Sequence, residues 1–92
     1  MRELELVIVT PEGVRERLKC DSVTAFARDN EKGENGGGFG IRPGHLPLVA
    51  ALQPGSRVRA EASGKTVGSF TVMGGFLSVK SDIVTVISES VS

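Results

Sequence analysis

The stretch RVRAEASGKTVGSFTVM, Arg57 to Met73, can be read in two ways that lead to different folds. Ser63-Gly64-Lys65-Thr66 ends like a phosphate-binding loop, G-x-x-x-x-G-K-[ST], which needs a helix after it to hold the phosphate on its N-terminus. The first glycine of that pattern would fall at position 59, and the sequence has Arg59 there. The flanks decide the matter. Val58, Ala60 and Ala62 alternate with Arg57, Arg59 and Glu61, the period of a half-exposed strand. Thr66 to Met73 continues the pairing, and no helical run follows. The stretch reads as a hairpin turned at Ser63-Gly64.

The same period runs outward in both directions. Leu4-Glu5-Leu6-Val7-Ile8-Val9 starts in alternation and becomes wholly apolar, as a strand buried on both faces would. Thr10-Pro11-Glu12-Gly13 is a turn, because proline fixes φ and glycine permits φ > 0. Val14 to Leu18 and Asp21 to Ala27 read as short strands joined near Lys19-Cys20. Leu46 to Leu52 reads as a buried strand ended by Gln53-Pro54-Gly55. Phe76 to Lys80 and Ile83 to Ser88 form a last hairpin around Ser81-Asp82, with Phe76 as a candidate core residue. Helical periodicity over ten residues occurs nowhere. The expectation is an all-β chain of about ten short strands, an antiparallel sandwich or barrel, forming one domain over residues 1–92.

Composition narrows the function. A 92-residue chain buries only ~60–65% of its unfolded surface, so a large enclosed active site is not expected. The 11 basic and 11 acidic residues cancel, which argues against nucleic acid and anionic lipid as partners. Four Phe with no Trp or Tyr leave few platforms for stacking bases. Cys20 is single, so no intrachain disulfide forms and a reducing compartment fits. The start MRELELVIVT is too charged for a secretory signal, and no apolar run approaches the ~20 residues of a spanning helix.

Catalytic patterns fail one after another. His45 is the only histidine; nucleophilic catalysis would need a serine or cysteine and an orienting carboxylate beside it. Cys20 is the only thiol available, and its neighbours place it on a strand as a small hydrophobe. One histidine does not make a zinc site without three further good ligands. Gly38 and Gly40 would need a third glycine where Pro43 stands to make a dinucleotide fingerprint. His45 is better read as bonding a turn or lying at an interface. Arg28 to Gly38 is polar, charged and glycine-rich, and reads as an exposed loop tip.

Several segments carry a resemblance in their order and spacing. They are Thr10-Pro11-Glu12-Gly13, Phe39-Gly40-Ile41-Arg42-Pro43-Gly44-His45-Leu46-Pro47-Leu48-Val49, Leu52-Gln53-Pro54-Gly55, Met73-Gly74-Gly75-Phe76-Leu77-Ser78-Val79 and Val84-Thr85-Val86-Ile87. Together they resemble the epsilon subunit of F-type ATP synthases, whose pattern reads approximately G-I-x-P-G-H-x-P-L, then P-G, S-G-G-F-L-E-V and V-T-I-L. The resemblance implies a β-sandwich and a non-catalytic rotor subunit of the central stalk, without a cofactor. It also implies binding to the gamma subunit and to the ring of membrane c subunits, as a peripheral subunit on the cytoplasmic face of the membrane. By the same resemblance Gly40, Pro43, Gly44 and Pro47 form a corner that presents Thr10, His45, Leu46 and Val49 to gamma. Asp29, Glu31, Glu34 and Gly38 would lie on the loop that faces the c ring.

The chain departs from the pattern in three ways. It stops at Ser92, where the family continues into two helices that carry inhibition of hydrolysis and, in some members, ATP binding. The loop between Ala27 and Phe39 is longer than usual, and Gly38 stands where the family has an acidic residue. Met73 replaces the usual serine of S-G-G. The alternative function is a stand-alone β-sandwich binding module outside the synthase; a small hydrolase using Cys20 and His45 is the third candidate. Because the phosphate-loop pattern breaks at Arg59, isothermal calorimetry with ATP is expected to show no micromolar site. Such a site would restore the phosphate-loop reading of Ser63 to Thr66.

Overall fold

The computed structural model describes residues 3–27 and 37–92. The first sheet holds five strands: β1 (Leu4–Thr10), β2 (Gly13–Cys20), β5 (Leu48–Ala51), β8 (Phe76–Lys80) and β9 (Ile83–Ile87), in the order β2-β1-β9-β8-β5. The second holds β3 (Ser22–Phe26), β4 (Gly38–Ile41), β6 (Pro54–Ala62) and β7 (Lys65–Met73), in the order β4-β3-β6-β7. The described residues thus form a two-sheet sandwich of nine strands, as the period-two pattern requires.

The core lies between the sheets. Leu4, Leu6 and Ile8 of β1 are fully buried, as are Leu77 and Val79 of β8 and Val84 and Val86 of β9. Val23 and Ala25 of β3, Val58 and Ala60 of β6, and Val72 of β7 meet them from the second sheet. Each set sits at every second position, so alternation in sequence becomes a buried face and an outer face. β1 buries Val7 as well, on the outer side, in line with its unbroken apolar run.

One pairing differs in kind from the others. β1 pairs with β9 in parallel, from Glu5 opposite Ile83 to Val9 opposite Ile87. The remaining pairings are antiparallel. A parallel pair needs a long connection between its strands, and here the whole of the second sheet lies between them in sequence. Backbone bonds extend the ladder at both ends, from Glu5 N to Asp82 O at 2.9 Å and from Ser88 N to Val9 O at 3.1 Å.

The turns follow their residues. Ser81 and Asp82 have φ of 51° and 62°, the two positive values of a two-residue type I′ hairpin turn. Ser63 and Gly64 turn the β6–β7 hairpin with φ of 52° and 76°, and Ser63 N donates to Asp21 Oδ2 at 2.8 Å. This places the Ser63 to Thr66 segment at a β-turn with no helix after it. Gly75 is required more strictly than any turn residue: its φ is +101°, and an added Cβ would collide with the Ile87 carbonyl.

Two expectations are corrected. Leu46 to Leu52 is not a buried strand: β5 covers only Leu48–Ala51, at the edge of its sheet, with Leu46 80% and Val49 72% exposed. Phe76 is not in the core either; it is 58% exposed, because its parity with Ser78 and Lys80 turns it outward while Leu77 and Val79 turn inward. In urea denaturation Leu77→Ala is expected to cost about 2–5 kcal/mol. Phe76→Ala is expected to stay within about 0.5 kcal/mol of the parent, as an exposed position does. Equal losses would contradict the inward and outward assignment.

Candidate protein-docking face

The corner between β4 and β5 is a hydrogen-bonded turn. His45 N donates to Arg42 O at 3.1 Å, Pro43 occupies the second position, and Gly44 the third with φ +85°. Proline followed by a residue at φ > 0 is the type II combination. Gly44 N donates to Asp82 Oδ1 at 2.7 Å, tying the corner to the β8–β9 turn. His45 Nδ1 lies 2.7 Å from the carbonyl oxygen of Leu46. A carbonyl only accepts, so in the neutral ring the proton sits on Nδ1 and Nε2 keeps its lone pair. Pro43 and Gly44 make this turn, and Pro47 leads from it into β5. Gly40 does not belong to the corner: it lies inside β4 opposite Thr24, without a positive φ and with open space around its Cβ position.

The outer face of the five-stranded sheet is rich in apolar groups. Register aligns Ala51, Phe76, Ile87, Val9 and Val14 across the five strands. The next row on that face is Val49, Ser78, Thr85, Val7 and Arg17. Val14, Val49, Phe76 and Ile87 are each more than half exposed. At one end of this face an open cavity of about 350 Å³ is lined by Thr10, Met73, Phe76, Ile87 and Glu89, among others. A contiguous apolar surface beside a groove is the usual mark of a docking site for another macromolecule.

The sequence-derived candidates are distributed over this face rather than gathered at one point. Thr10 ends β1 beside the groove. His45 and Leu46 precede β5 at the other end, next to the β8–β9 turn, and Val49 lies between them and the groove. Sequence reasoning missed Met73, Phe76 and Ile87. The signal for Phe76 and Ile87 was available, since Phe76-Leu77-Ser78-Val79-Lys80 puts Phe76 in phase with Ser78 and Lys80. Gly38 opens β4 opposite Phe26, whereas Asp29, Glu31 and Glu34 lie outside the described residues.

Cys20 and His45 do not form a catalytic pair. Cys20 ends β2 and is 1% exposed, paired with Leu4 in the core. His45 leads into β5 at the opposite edge of the same sheet, and four strand spacings of ~4.8 Å put the two edges about 19 Å apart. Burial pushes the Cys20 thiol above its ordinary range, opposed in part by a backbone hydrogen bond at Ser22.

Comparison with known proteins places this sandwich. Residues 3–92 match the family described as ATP synthase, Delta/Epsilon chain, beta-sandwich domain. The chain belongs to that family. An ATP synthase epsilon chain of Anoxybacillus flavithermus is 33% identical over 90 residues, covering 98% of this chain and 60% of its own length. One from Frankia casuarinae is 34% identical over 87 residues, covering 95% of this chain and 93% of the relative. The chain thus spans about three fifths of several curated epsilon chains it matches and nearly all of the Frankia one. A chain in the Euglena gracilis mitochondrial ATP synthase OSCP/F1/c-ring structure superposes with a TM-score of 0.76 at 22% identity. That match covers 98% of this chain and 52% of the other. A chain of the Tetrahymena thermophila mitochondrial ATP synthase central stalk and c-ring gives 0.72 at 14% identity, covering 99% and 66%. Both share the fold of this sandwich. Among the described residues no helix is long and apolar enough to cross a membrane.

A raised thiol pKa has a definite sign in this epsilon-family domain. The stabilisation from burying the neutral Cys20 is present below the ordinary thiol pKa and is lost as pH rises through the raised value. Alkylation by iodoacetamide at pH 8 is expected to be at least about tenfold slower in native buffer than in denaturant, because the group must be exposed and ionised to react. Equal rates would show that the β2 end opens freely.

Proposed function

We propose that this chain is a non-catalytic rotor subunit of an F-type ATP synthase, docking a gamma subunit onto the ring of membrane c subunits. In that role it helps to couple ion translocation to ATP synthesis and hydrolysis, as a peripheral subunit on the cytoplasmic face of the membrane. Membership of the epsilon family supports the reading. The observation that carries it is the apolar outer face of the five-stranded sheet, with its groove at Thr10, Met73, Phe76 and Ile87. A subunit that transmits torque needs a body that does not deform and a face that holds its partner. A two-layer sandwich with a close-packed core meets the first need. The apolar face meets the second, with Thr10, His45, Leu46 and Val49 at its two ends and edge.

The loop carrying Asp29, Glu31 and Glu34, together with Gly38 at its return into β4, would face the c ring. Its acids would act through screened attraction, which guides orientation more than it adds affinity.

Binding energy in such interfaces concentrates in a few central anchors. Phe76→Asp and Ile87→Asp, both at exposed positions, are expected to leave the fold intact and to reduce co-purification of gamma by at least about tenfold. His45→Glu is expected to weaken it less, at the end of the face. Undiminished co-purification in both aspartate variants would place the gamma contact elsewhere.

A further inference from the structure

The outer face of the four-stranded sheet is chemically unlike the apolar face just described. β6 presents Arg57 and Arg59 outward, at alternate positions around the buried Val58. Register sets Arg59 between Thr24 of β3 and Ser69 of β7, and Arg57 beside Thr71 of β7. A small groove of about 110 Å³ opens between Thr24, Phe26, Arg57 and Arg59. Among the described residues Arg59 has one carboxylate neighbour, Glu61, at a long 3.9 Å from its Nε, and no carboxylate pairs with Arg57. In a chain of zero net charge this is a local concentration of positive charge with little compensation among the described residues.

The groove has a defined wall. The Phe26 ring lies over Gly38 of the neighbouring strand so closely that a Cβ built at Gly38 would stand 2.9 Å from Phe26 Cε1. Phe26 remains 42% exposed, offering apolar surface beside the two guanidinium groups.

We propose that this groove docks an extended acidic segment of a partner protein, one that carries carboxylates at alternate residues. Two strand positions span about 6.6 Å, so Arg57 and Arg59 match the carboxylates of an Asp/Glu-x-Asp/Glu segment running alongside β6. The guanidinium fork suits a carboxylate in bidentate geometry. Thr24 adds a hydroxyl donor, and Phe26 packs on the aliphatic stem of an acidic side chain. The groove is too small for a nucleotide, whose sites run to ~300 Å³ and more. One Phe offers too little stacking for a nucleic acid strand. The site lies on the opposite side of the sandwich from the apolar face and does not depend on the proposed gamma contact.

The test is an NMR titration of the whole chain with two acetylated, amidated peptides of equal composition, Ser-Glu-Ser-Glu-Ser-Glu and Ser-Ser-Ser-Glu-Glu-Glu. The alternating peptide is expected to shift the amides around Thr24, Phe26, Arg57 and Arg59, and to bind at least about threefold tighter than its isomer, more weakly as salt rises. Arg57→Ser with Arg59→Ser should abolish the shifts. Glu61→Gln, which frees Arg59, should tighten binding about twofold, an opposite effect that misfolding does not produce. Gly38→Val, which displaces the Phe26 ring without changing charge, should weaken binding. Equal binding of the two peptides, shifts that survive loss of both arginines, or tighter binding of an oligo-dT strand than of the alternating peptide would each overturn the proposal.

Discussion

The parallel ladder between β1 and β9 is the constraint on which the rest of the molecule depends. β1 carries an unbroken apolar run from Leu6 to Val9, and it lies between charged β2 and the β8–β9 hairpin. Joining β1 to β9 brings the start of the described chain against its last strand, so the four-stranded sheet must form in the interval and fold back across. The inner side of that ladder carries Leu6, Ile8, Val84 and Val86, all fully buried. Its outer side carries Val7, Val9, Thr85 and Ile87, which make the centre of the apolar face. One backbone register therefore sets both the core and the candidate docking surface.

Two close approaches hold the ends of that surface. At one end the Gly75 backbone passes so near the Ile87 carbonyl that no side chain fits, and this brings Phe76 and Met73 beside Ile87 around the groove. At the other end Asp82 reaches across from the β8–β9 turn to bond the Gly44 amide, and the corner cannot swing away from the sheet without losing that bond. His45 is presented by a turn fixed at three points: proline φ, positive glycine φ and the aspartate anchor. Pro43 and Gly44 are explained by the geometry of the corner.

The two outer faces carry different chemistry for a physical reason. The five-stranded sheet sets Val9, Val14, Val49, Phe76 and Ile87 outward, one on each strand, and gathers charged groups such as the Arg17–Glu5 pair toward the other end of the face. The four-stranded sheet places arginine, threonine and serine at the equivalent positions of β3, β6 and β7, with Phe26 beside them, and turns Val23, Ala25, Val58, Ala60 and Val72 inside. A body with one apolar and one cationic side can hold two unlike partners at once without their competing.

The sequence by itself determined most of the strands, the hairpin turns and the failure of the phosphate-loop pattern. Those depend on neighbours in the chain: alternation at Val58, Ala60 and Ala62, the Ser63-Gly64 and Ser81-Asp82 turns, the Pro43-Gly44 corner. The ordered glycine and proline motifs were also enough to point to the epsilon family. Parity along β8 even held the outward position of Phe76, although a lone phenylalanine in an apolar run invites a core assignment. Only the tertiary structure decided that β1 and β9 run parallel, that β5 is an exposed edge, and that Thr10 and His45 stand at opposite ends of one face. It also separated Cys20 from His45 by the full width of a sheet. Such facts depend on which strands pair and in what register, and pairing joins residues some eighty positions apart in the chain, from Glu5 to Ile83. Local pattern carries no information about that choice; the fit of two apolar faces, and the backbone hydrogen bonds that complete them, make it.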